Sequence, residues 1–539
     1  MGKEIFHGKE SREKLLKGVN ELANAVSVTL GPRGRNVIID GSDGTPHITK
    51  DGVTVAKSVE FTDRTVNLGA TIIKEASQQT ADNAGDGTTT STVLAQHIFN
   101  EGMKRVESGC NPIELNRGMQ EAVSYVVSAL RKISVDINDN DSIKNIATIS
   151  ANGDTEIGNI IADAIKEVGN DGIVTVEEGN SSETTLEIVE GLEFDRGYLS
   201  HFFMNDKTKL VCSLESPKIM LYDGRISTMD DIVGVLEKSS MNNQPIVIMA
   251  HEITGEALAT MVVNSARGTL NCLAVKAPGF GAERTEMLKD IATLTGATLI
   301  TSEIGVTLED VAEEHLGSCD KVVSGKTKTS IIGGHGDTES ISERIEMMKV
   351  EKQNSESDYE KEKIQTRLSK LAGGVAVIQI GAESEIELKE KKDRVDDAIL
   401  STKAALEEGV VPGGGSALIH SKNNTVLKYH KMISEKRSDE WVIGMELVYD
   451  ACEAPLRTIL KNAGVSDIDG IIKQVSIKSI SDCRQGYNVV RGNLVDLVTG
   501  GVIDPTKVTR IAIEKAVSVA GTLLTTECMV VNEIINEKS

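Results

Sequence analysis

Apolar residues recur at helical spacing from near the start of the chain. Four of them share one face of a predicted helix over residues 11–30: Leu15, Val19, Leu22 and Val26. The pattern ends at Gly31-Pro32, a pair that commonly ends helices. The same spacing predicts further helices over about 68–82, 88–108 and 113–133. The N-terminal block is therefore predicted to be mainly helical.

Two short segments between the first helices have a different pattern. Residues 36–40 contain the apolar run Val37-Ile38-Ile39, and apolar and polar residues alternate around Val53 and Val55. Both patterns are typical of strands, and the turn Lys50-Asp51-Gly52 lies between them. We therefore expect a pair of short strands here.

The middle of the chain has the pattern of an α/β structure. From about residue 191, apolar runs at 245–249, 270–275 and 298–301 alternate with helical patterns at 255–267 and 284–295. This alternation predicts a parallel sheet with helical crossovers. A charged helical pair follows at 338–371, and after Gly409 helical patterns return at 417–419, 442–463 and 508–524. The α/β block is therefore predicted to be inserted into a helical one.

Composition and charge exclude several classes of function. The 539 residues carry 58 basic and 81 acidic side chains, a formal net charge of −23. Such a surface repels nucleic acid and anionic lipid, and no apolar run reaches the roughly 18 residues that a membrane span needs. The seven cysteines form no CxxC pair, which disfavours a zinc site or a disulfide framework. With no signal-peptide pattern at Met1–His7, we expect a cytoplasmic protein without nucleic-acid or membrane partners.

Residues 84–94, Ala-Gly-Asp-Gly-Thr-Thr-Thr-Ser-Thr-Val-Leu, have the chemistry of a phosphate site. Free amides at a helix N-terminus attract anions, glycines allow close approach of the backbone, and threonine hydroxyls add donors. Asp86 supplies the hard oxygen that Mg²⁺ prefers. The alternative is an ordinary capped turn, because Ser, Thr and Asp are common N-cap residues. The eleven residues alone leave both interpretations open.

Three other turns have related chemistry: Thr29–Gly34, Lys50–Thr54 and Val411–Ser416. Each by itself is commonly only a turn. The chain has neither a GxxxxGK[ST] loop nor a strand followed by GxGxxG, which disfavours a P-loop ATPase or a Rossmann dehydrogenase. His251-Glu252 is not part of an HExxH zinc motif.

In this order and at these separations, the turns resemble those of the group I chaperonins, the GroEL-like family. The resemblance covers nearly the whole chain and marks a divergent member. It includes these further segments: Glu190–Ser200, Val275–Gly281, Lys370–Gly374, Asp504–Arg510 and Thr525–Met529.

The resemblance implies an α+β multidomain fold, the GroEL-like chaperonin fold. A mainly α-helical equatorial ATPase domain would comprise residues 1–132 and 408–539. A small α/β intermediate hinge domain would comprise 133–189 and 376–407, and an inserted α/β apical domain would comprise 190–375 and bind substrate. This arrangement agrees with the insertion that the hydrophobic pattern predicts.

The resemblance also implies an ATP site that holds Mg²⁺ and K⁺. The nucleotide-binding positions that match are Thr29, Leu30, Gly31, Pro32, Lys50, Asp86, Gly87, Thr88, Thr89, Thr90, Gly414, Asn488, Val489, Val490 and Asp504. Asp86 would bind Mg²⁺, and the backbone oxygens of Thr29 and Lys50 would lie near K⁺. Asp397 would be catalytic and, with Asp51, would orient the attacking water, because phosphoryl transfer depends on positioning. Its neighbour Asp396 stands where the family usually has Glu.

A second set of matching positions implies a polypeptide-binding rim of exposed apolar residues: Tyr198, Phe202, Phe203, Val233, Leu236, Leu258, Val262 and Val263. By their types alone these residues fit ordinary core packing equally well. Four glycines match the family's hinges between domains: Gly191, Gly373, Gly374 and Gly409.

Together these matches imply an ATP-dependent chaperonin. It would capture unfolded polypeptide clients on the apical rim and release them into the cavity of a homo-oligomeric ring, expected to have seven members, with a lid co-chaperonin as a further partner. The alternative is a polypeptide-binding scaffold that has this fold but no ATP-driven cycle. A metabolic kinase is disfavoured because the sequence indicates no pocket for a small acceptor.

Overall fold

The computed structural model describes residues 2–532 except for 41–45, 138–139, 152, 170–171, 180, 207–209, 302–307, 356, 434–436 and 480–481. Contacts divide the chain into two compact units. One comprises Met1–Ala162 together with Glu385–Ser539, and the other comprises Asp163–Ser384. A continuous segment is thus inserted into a discontinuous unit. Both boundaries fall inside the predicted intermediate domain, and the finer division into three domains stays a prediction.

The first part of the chain is mostly helical. In chain order its elements are β1 (Lys3–His7), α1 (Gly8–Ser27), β2 (Val37–Ile39), β3 (His47–Thr49), α2 (Gly52–Ser58), α3 (Arg64–Ala84), α4 (Thr88–Glu107), α5 (Pro112–Ile133), α6 (Asn140–Ser150) and α7 (Thr155–Val168). Asp63 and Asn111 cap α3 and α5 by accepting hydrogen bonds from first-turn amides. The predicted helices in this block are confirmed to within a few residues.

The prediction of a strand around Val53 and Val55 is wrong, because these residues lie in the helix α2. Asp51 caps this helix through the amides of Val53 and Thr54. The alternation of apolar residues extends over too few positions to distinguish a strand from one buried face of a short helix. The strand at 36–40 is confirmed as β2, and it pairs antiparallel with β3.

The middle of the chain contains most of the strands. Its elements are β4 (Ile173–Glu178), β5 (Thr185–Val189), β6 (Gly191–Phe194), a 3-10 turn at His201–Phe203, β7 (Cys212–Glu215), β8 (Lys218–Ile226), α8 (Val233–Met241), β9 (Ile246–Ile253), α9 (Gly255–Ala266), β10 (Cys272–Lys276), α10 (Ala282–Thr295), β11 (Leu299–Ile300), 3-10 turns at Leu308–Asp310 and Glu313–His315, β12 (Gly317–Ser324), β13 (Thr329–Gly334), α11 (Thr338–Asn354), α12 (Asp358–Ala372) and β14 (Val375–Ile380).

These strands form two sheets within the inserted unit. The larger has the order β10-β9-β8-β12-β13-β6, with β11 beside β8 and β7 beside β12. Strands β8, β9, β10 and β11 pair in parallel, with α8, α9 and α10 as their connections, so the predicted parallel sheet is confirmed. The smaller sheet has the order β4-β14-β5.

The last part of the chain is helical again. Its elements are α13 (Glu385–Glu408), β15 (Val410–Pro412), α14 (Ser416–Ile433), α15 (Asp439–Ala451), α16 (Ala454–Asn462), α17 (Ile468–Ser479), β16 (Gln485–Asn488), β17 (Asn493–Asp496), β18 (Ile503–Pro505), α18 (Thr506–Leu524) and β19 (Cys528–Asn532). The continuous helix predicted over 442–463 is instead the pair α15 and α16. Pro455 stands in the first turn of α16, where its missing amide costs nothing, and it favours a new helix start there.

Each unit has an aliphatic core of its own. In the discontinuous unit, α1, α3, α4, α5, α15 and α18 bury one continuous apolar cluster that includes Phe99 and Trp441. Strands β1 and β19 pair antiparallel, which joins residues 3–7 to residues 528–532. In the inserted unit the central cluster is built on β8, β9 and β10. The α+β architecture with an inserted unit, expected from the sequence, is therefore confirmed. Among the described helices, none is both long and apolar enough to cross a membrane.

Candidate functional site

The N-terminus of α4 has the features of an anion site. Its N-cap residue, Gly87, has the left-handed conformation (φ 84°) and provides no side-chain cap to the first-turn amides. A Cβ at Gly87 would lie 2.7 Å from Cγ1 of Val508, so a side chain would collide there. The amides of the Thr88–Thr90 turn remain available to an anion, and the helix dipole favours negative charge at this point.

Asp86 immediately precedes this helix N-terminus. Its Oδ1 accepts a hydrogen bond from the amide of Gly87, and its Oδ2 accepts one from the hydroxyl of Ser401 at 3.3 Å. The carboxylate is reached by solvent, yet protein atoms surround it closely enough to raise its pKa by desolvation. The negative charge of Asp51 raises the pKa further.

Asp51 is the N-cap residue of α2, and the start of α2 lies against the start of α4. Its Oδ1 accepts from the amide of Val53 at 3.0 Å, and its Oδ2 accepts from the amide of Thr54 at 2.8 Å. A Cβ at Gly52 would lie 2.1 Å from Oγ1 of Thr89, so the starts of α2 and α4 are in close contact. The side chain of Asp51 therefore has a structural role in addition to any catalytic one.

Asp397 lies on α13 and faces the same carboxylates. Desolvation raises its pKa well above the ordinary value, and the charges of Asp86 and Asp51 add to the effect. Ser401, one helical turn after Asp397, bonds to Asp86, and Gly52 next to Asp51 lies against Thr89. Asp51, Asp86 and Asp397 therefore lie near one another, although they are far apart along the chain. The structure thus brings the two predicted catalytic residues beside the predicted Mg²⁺ ligand.

Asp504 forms another side of the site. It lies on β18, which pairs with β15. The loop of Gly413, Gly414 and Gly415 directly follows β15. Burial and the charge of Asp86 raise its pKa to about 7, while the amides of Gly414 and Gly415 act in the opposite direction. Gly414 has φ 63°, and a Cβ built on it would meet no atom within 4 Å, so its surface is open.

The β16–β17 hairpin packs beside the start of α14. A Cβ at Gly486 would lie 2.5 Å from Oγ of Ser416, which shows how closely the hairpin approaches the helix. Oδ1 of Asn488 accepts hydrogen bonds from the amides of Val490 and Arg491, both at 3.0 Å, and so shapes the turn. Val489 and Val490 lie in this turn. Val489 packs against the small apolar cluster that includes Ile419 and Leu456, whereas the side chain of Val490 is exposed.

The loop at Thr29–Pro32 also contacts the start of α4, at Thr89. Oγ1 of Thr29 is 3.5 Å from Oγ1 of Thr89, and Gly31 packs on the side chain of Ile459. Nδ2 of Asn462 donates to the carbonyls of Ser27 at 2.8 Å and Leu30 at 3.0 Å, and holds the loop in place. Lys50 lies one residue before Asp51.

Two residues that contribute here were missed in the sequence. Ser401 could have been found, because it follows Asp397 by one helical turn and therefore shares its face. Nothing in the sequence indicated Asn462, which is more than 400 residues from the loop that it anchors.

The donor set fits Mg²⁺. The largest charge effects on Asp86, Asp397 and Asp504 come from other carboxylates, so the site has an excess of negative charge that a divalent cation would offset. Among the described residues, no group of three or more His, Cys, Asp and Glu is arranged to hold a metal by itself. Mg²⁺ is commonly bound by one or two carboxylates together with phosphate oxygens. A metal that depends on a phosphate ligand suits this arrangement.

The four glycines predicted as hinges lie at ends of strands and helices. Gly191 begins β6, and Gly373 and Gly374 connect α12 to β14. Gly409 connects α13 to β15. Gly374 and Gly409 have positive φ angles of 64° and 76°, which other residues adopt at a cost. Bending at these positions stays a prediction.

The predicted polypeptide-binding residues have unequal exposure. Phe202 is 54% exposed and Val263 is 44% exposed, whereas Phe203 and Leu236 are buried at 2% and 6%. The remaining members are partly buried: Tyr198, Val233, Leu258 and Val262. The expectation that all eight are exposed is therefore wrong for Phe203 and Leu236.

The corrections have a local structural cause. Residues 201–203 form a 3-10 turn, in which successive side chains point in directions about 120° apart, so Phe202 and Phe203 cannot face the same way. Leu236 is one turn after the buried Ile232 and belongs to the inward face of α8. The same unit has further exposed apolar residues that the sequence did not indicate, among them Met241 and Phe280.

Comparisons with a protein-family model and with solved structures both identify similarity to chaperonins. Residues 22–533 match the model of the TCP-1/cpn60 chaperonin family. Among solved structures, the chain is similar to the chaperonin gp146 from the bacteriophage EL 2 (Pseudomonas aeruginosa), crystallised in the presence of ATP-BeFx. The TM-score is 0.71 with 22% sequence identity, and the match covers 98% of this chain and 99% of that one. At this identity the likeness concerns the fold.

Proposed function

The chain belongs to the TCP-1/cpn60 chaperonin family, and from this we propose that it is an ATP-dependent chaperonin. It captures non-native polypeptides on an apolar surface and releases them into the cavity of a ring, with ATP hydrolysis driving the cycle. The observation that carries the proposal is the convergence of Asp51, Asp86, Asp397 and Asp504 beside the uncapped N-terminus of α4.

Each part of this site has a role in binding ATP. The amides at Gly87–Thr90 hold phosphate oxygens, Asp86 holds Mg²⁺, and Mg²⁺ supplies positive charge against the phosphates when bound. Gly414, Asn488 and Asp504 are the proposed contacts of the sugar and base. The backbone oxygens of Thr29 and Lys50 are the proposed ligands of K⁺, and the contact between Thr29 and Thr89 supports a position next to the phosphates.

Asp397 and Asp51 orient the water that attacks the terminal phosphate. Desolvation and neighbouring like charges raise the pKa of Asp397, and a bound cation would act in the opposite direction by favouring the ionised carboxylate. An ionised carboxylate accepts a hydrogen bond from water and so directs its lone pair. Asp51 is held rigidly by its own cap interactions, which supports a positioning role.

The apolar surface for clients is smaller than the eight matching positions imply. Phe202 and Val263 are exposed, and α9 packs against the 3-10 turn that carries Phe202. An apolar side chain buried against a client contributes about 1.5–3 kcal/mol. Several copies around a ring, proposed to have seven members, bind one client with avidity and without sequence specificity. A lid co-chaperonin is the proposed further partner.

Steady-state ATP turnover, measured as phosphate release, tests the proposal. Asp397→Ala is expected to lower turnover by about 100-fold or more while nucleotide binding is retained. Asp393→Ala is the matched control, because Asp393 is exposed one turn earlier on α13, and it is expected to keep most of the turnover. Unchanged turnover in Asp397→Ala contradicts the assigned role. A wild-type protein that captures an unfolded client but hydrolyses no ATP is the non-cycling scaffold instead.

A further inference from the structure

A buried hydroxyl on α13 contacts the proposed metal ligand. Ser401 is 1% exposed, and its Oγ donates to Oδ2 of Asp86 at 3.3 Å. The other carboxylate oxygen of Asp86 accepts from the amide of Gly87. Each oxygen is thus oriented by one donor, and each keeps a second lone pair for a cation.

The hydrogen bond of Ser401 is not the usual one for a hydroxyl within a helix. Serine and threonine hydroxyls in helices commonly donate to the carbonyl four residues earlier. The neighbouring Thr402 does so, with its Oγ1 2.6 Å from the carbonyl of Ala398. Ser401 instead reaches across to another segment, so its hydroxyl makes a tertiary contact between α13 and the loop at Gly85–Gly87.

The backbone around this contact is held by close packing. Gly85 lies under Leu400 so closely that a Cβ on Gly85 would be 2.2 Å from Cβ of Leu400. One turn later on α13, Ala404 packs with Ala84, Val508 and Ile511 in a small buried cluster. Because packing fixes both sides, the Ser401 hydroxyl meets Asp86 in one defined geometry.

We propose that Ser401 is a positioning residue that orients the carboxylate of Asp86 for Mg²⁺. This rests on the proposed function, in which Asp86 is the metal ligand. Partners that hydrogen-bond to a metal-binding side chain fix its orientation, and their loss typically weakens metal affinity by about 10- to 100-fold. Since Asp397 lies one turn earlier on the same helix, Ser401 also ties the metal ligand to the element that carries the catalytic carboxylate.

Metal affinity measured without turnover tests the inference. Mn²⁺ serves as the probe, and electron paramagnetic resonance measures free Mn²⁺ during titration of the full-length protein with saturating ADP. Ser401→Ala is expected to weaken Mn²⁺ binding about 10-fold, whereas the affinity for ADP in the presence of a chelator stays unchanged. Thr402→Val is the matched control. It removes a buried hydroxyl that bonds only within α13, and it is expected to bind Mn²⁺ like the wild type.

Mn²⁺ affinity of Ser401→Ala within about twofold of the wild type overturns the inference. An equal loss in Ser401→Ala and Thr402→Val also overturns it, because the effect then comes from the helix as a whole. If Ser401→Ala does not fold, Ser401→Cys keeps the volume and replaces the hydroxyl by a weaker donor. An intermediate affinity is expected from it, and wild-type affinity contradicts the inference. A wild-type protein that binds neither ADP nor Mn²⁺ refutes the proposed function itself.

Discussion

Leu400 lies directly over Gly85, with room for no carbon atom between the two residues. A Cβ built on Gly85 would be 2.2 Å from Cβ of Leu400, and Gly85 ends α3 with φ 76°. This contact brings α13 against the loop that carries Asp86. The geometry of the proposed ATP site therefore depends on Gly85, although Gly85 is not one of the proposed nucleotide-binding residues.

Gly85→Ala is expected to destabilise the protein and to abolish ATP turnover. The left-handed backbone costs about 1–2 kcal/mol for a residue with a side chain, and overpacking against Leu400 adds about 1–3 kcal/mol. Gly109→Ala is the control, because Gly109 has φ 100° with no atom near its missing Cβ. Both variants have backbone strain from a positive φ, but only Gly85→Ala collides with a neighbour. Comparing their thermal midpoints and ATP turnover therefore separates the two effects. Equal effects in both variants would show that the contact with Leu400 is unimportant.

Asp51 offers a way to separate a structural role from a catalytic one. Asn keeps one of the two acceptor oxygens, so Asp51→Asn is expected to lose less stability than Asp51→Ala but to lose most ATP turnover, because the charge is gone. Asp51→Ala removes the cap as well and is expected to cost a further 0.5–2 kcal/mol or so of stability. Full turnover in Asp51→Asn would exclude a catalytic role of the carboxylate charge.

Asp504 makes stability depend on pH. Its pKa is about 7 in the folded protein against 3.8 for an ordinary Asp, so the folded state binds more protons between those values. Stability is therefore expected to fall as pH rises from about 4 to 7, and to level off above that. Asp504→Asn removes this contribution and is expected to gain stability relative to the wild type as pH rises through the window.

The measurement is the thermal midpoint at several pH values without nucleotide or Mg²⁺. Asp86 and Asp397 have raised pKa values too and act in the same direction, so the difference between wild type and Asp504→Asn reports Asp504 together with its interaction with Asp86. Asp40→Asn is the control at an exposed carboxylate. A constant difference between wild type and Asp504→Asn across the pH range would contradict the assignment.

The exposed and buried members of the predicted rim should respond differently to mutation. Phe202→Ser and Val263→Ser are expected to weaken capture of an unfolded client while thermal midpoint and ATP turnover stay unchanged. Phe203→Ala is expected to destabilise the inserted unit by about 3–5 kcal/mol, because it opens a cavity in the core. Light scattering during aggregation of a denatured client reports capture. Undiminished capture in the double variant Phe202→Ser/Val263→Ser would exclude this surface.

Local patterns predicted the long elements well. Helices such as α3, α4 and α5 bury one face over several turns, so their periodicity extends over enough residues to be unambiguous. The helix α2 was mistaken for a strand because it has only seven residues. Likewise, neighbouring aromatic residues cannot reveal which of them faces solvent. The 3-10 turn at His201–Phe203 determines that Phe202 faces solvent and Phe203 faces the core, and the sequence does not reveal this turn.

The candidate site could be predicted only in pieces. The loop at 84–94 shows phosphate chemistry by itself, since helix starts, glycines and threonines are local features. The convergence of Asp51, Asp86, Asp397 and Asp504 is set by tertiary packing, and no spacing along the chain encodes it. The family resemblance assigned these four residues to one site. It indicated neither the hydroxyl of Ser401, which bonds to Asp86, nor the side-chain amide of Asn462, which anchors the loop at Thr29–Pro32.

The pairing of β1 with β19 has a consequence for biosynthesis. Residues 3–7 cannot find their partners at 528–532 until the ribosome has made nearly all of the chain, whereas the inserted unit is a continuous stretch of 163–384. Bringing together segments so distant in sequence is slow, because a very long loop must close first. We therefore expect the inserted unit to acquire its structure during translation, before the discontinuous unit, whose strands β1 and β19 can pair only after residues 528–532 have been made. A protein proposed to enclose non-native chains thus passes through a long, partly folded stage during its own synthesis.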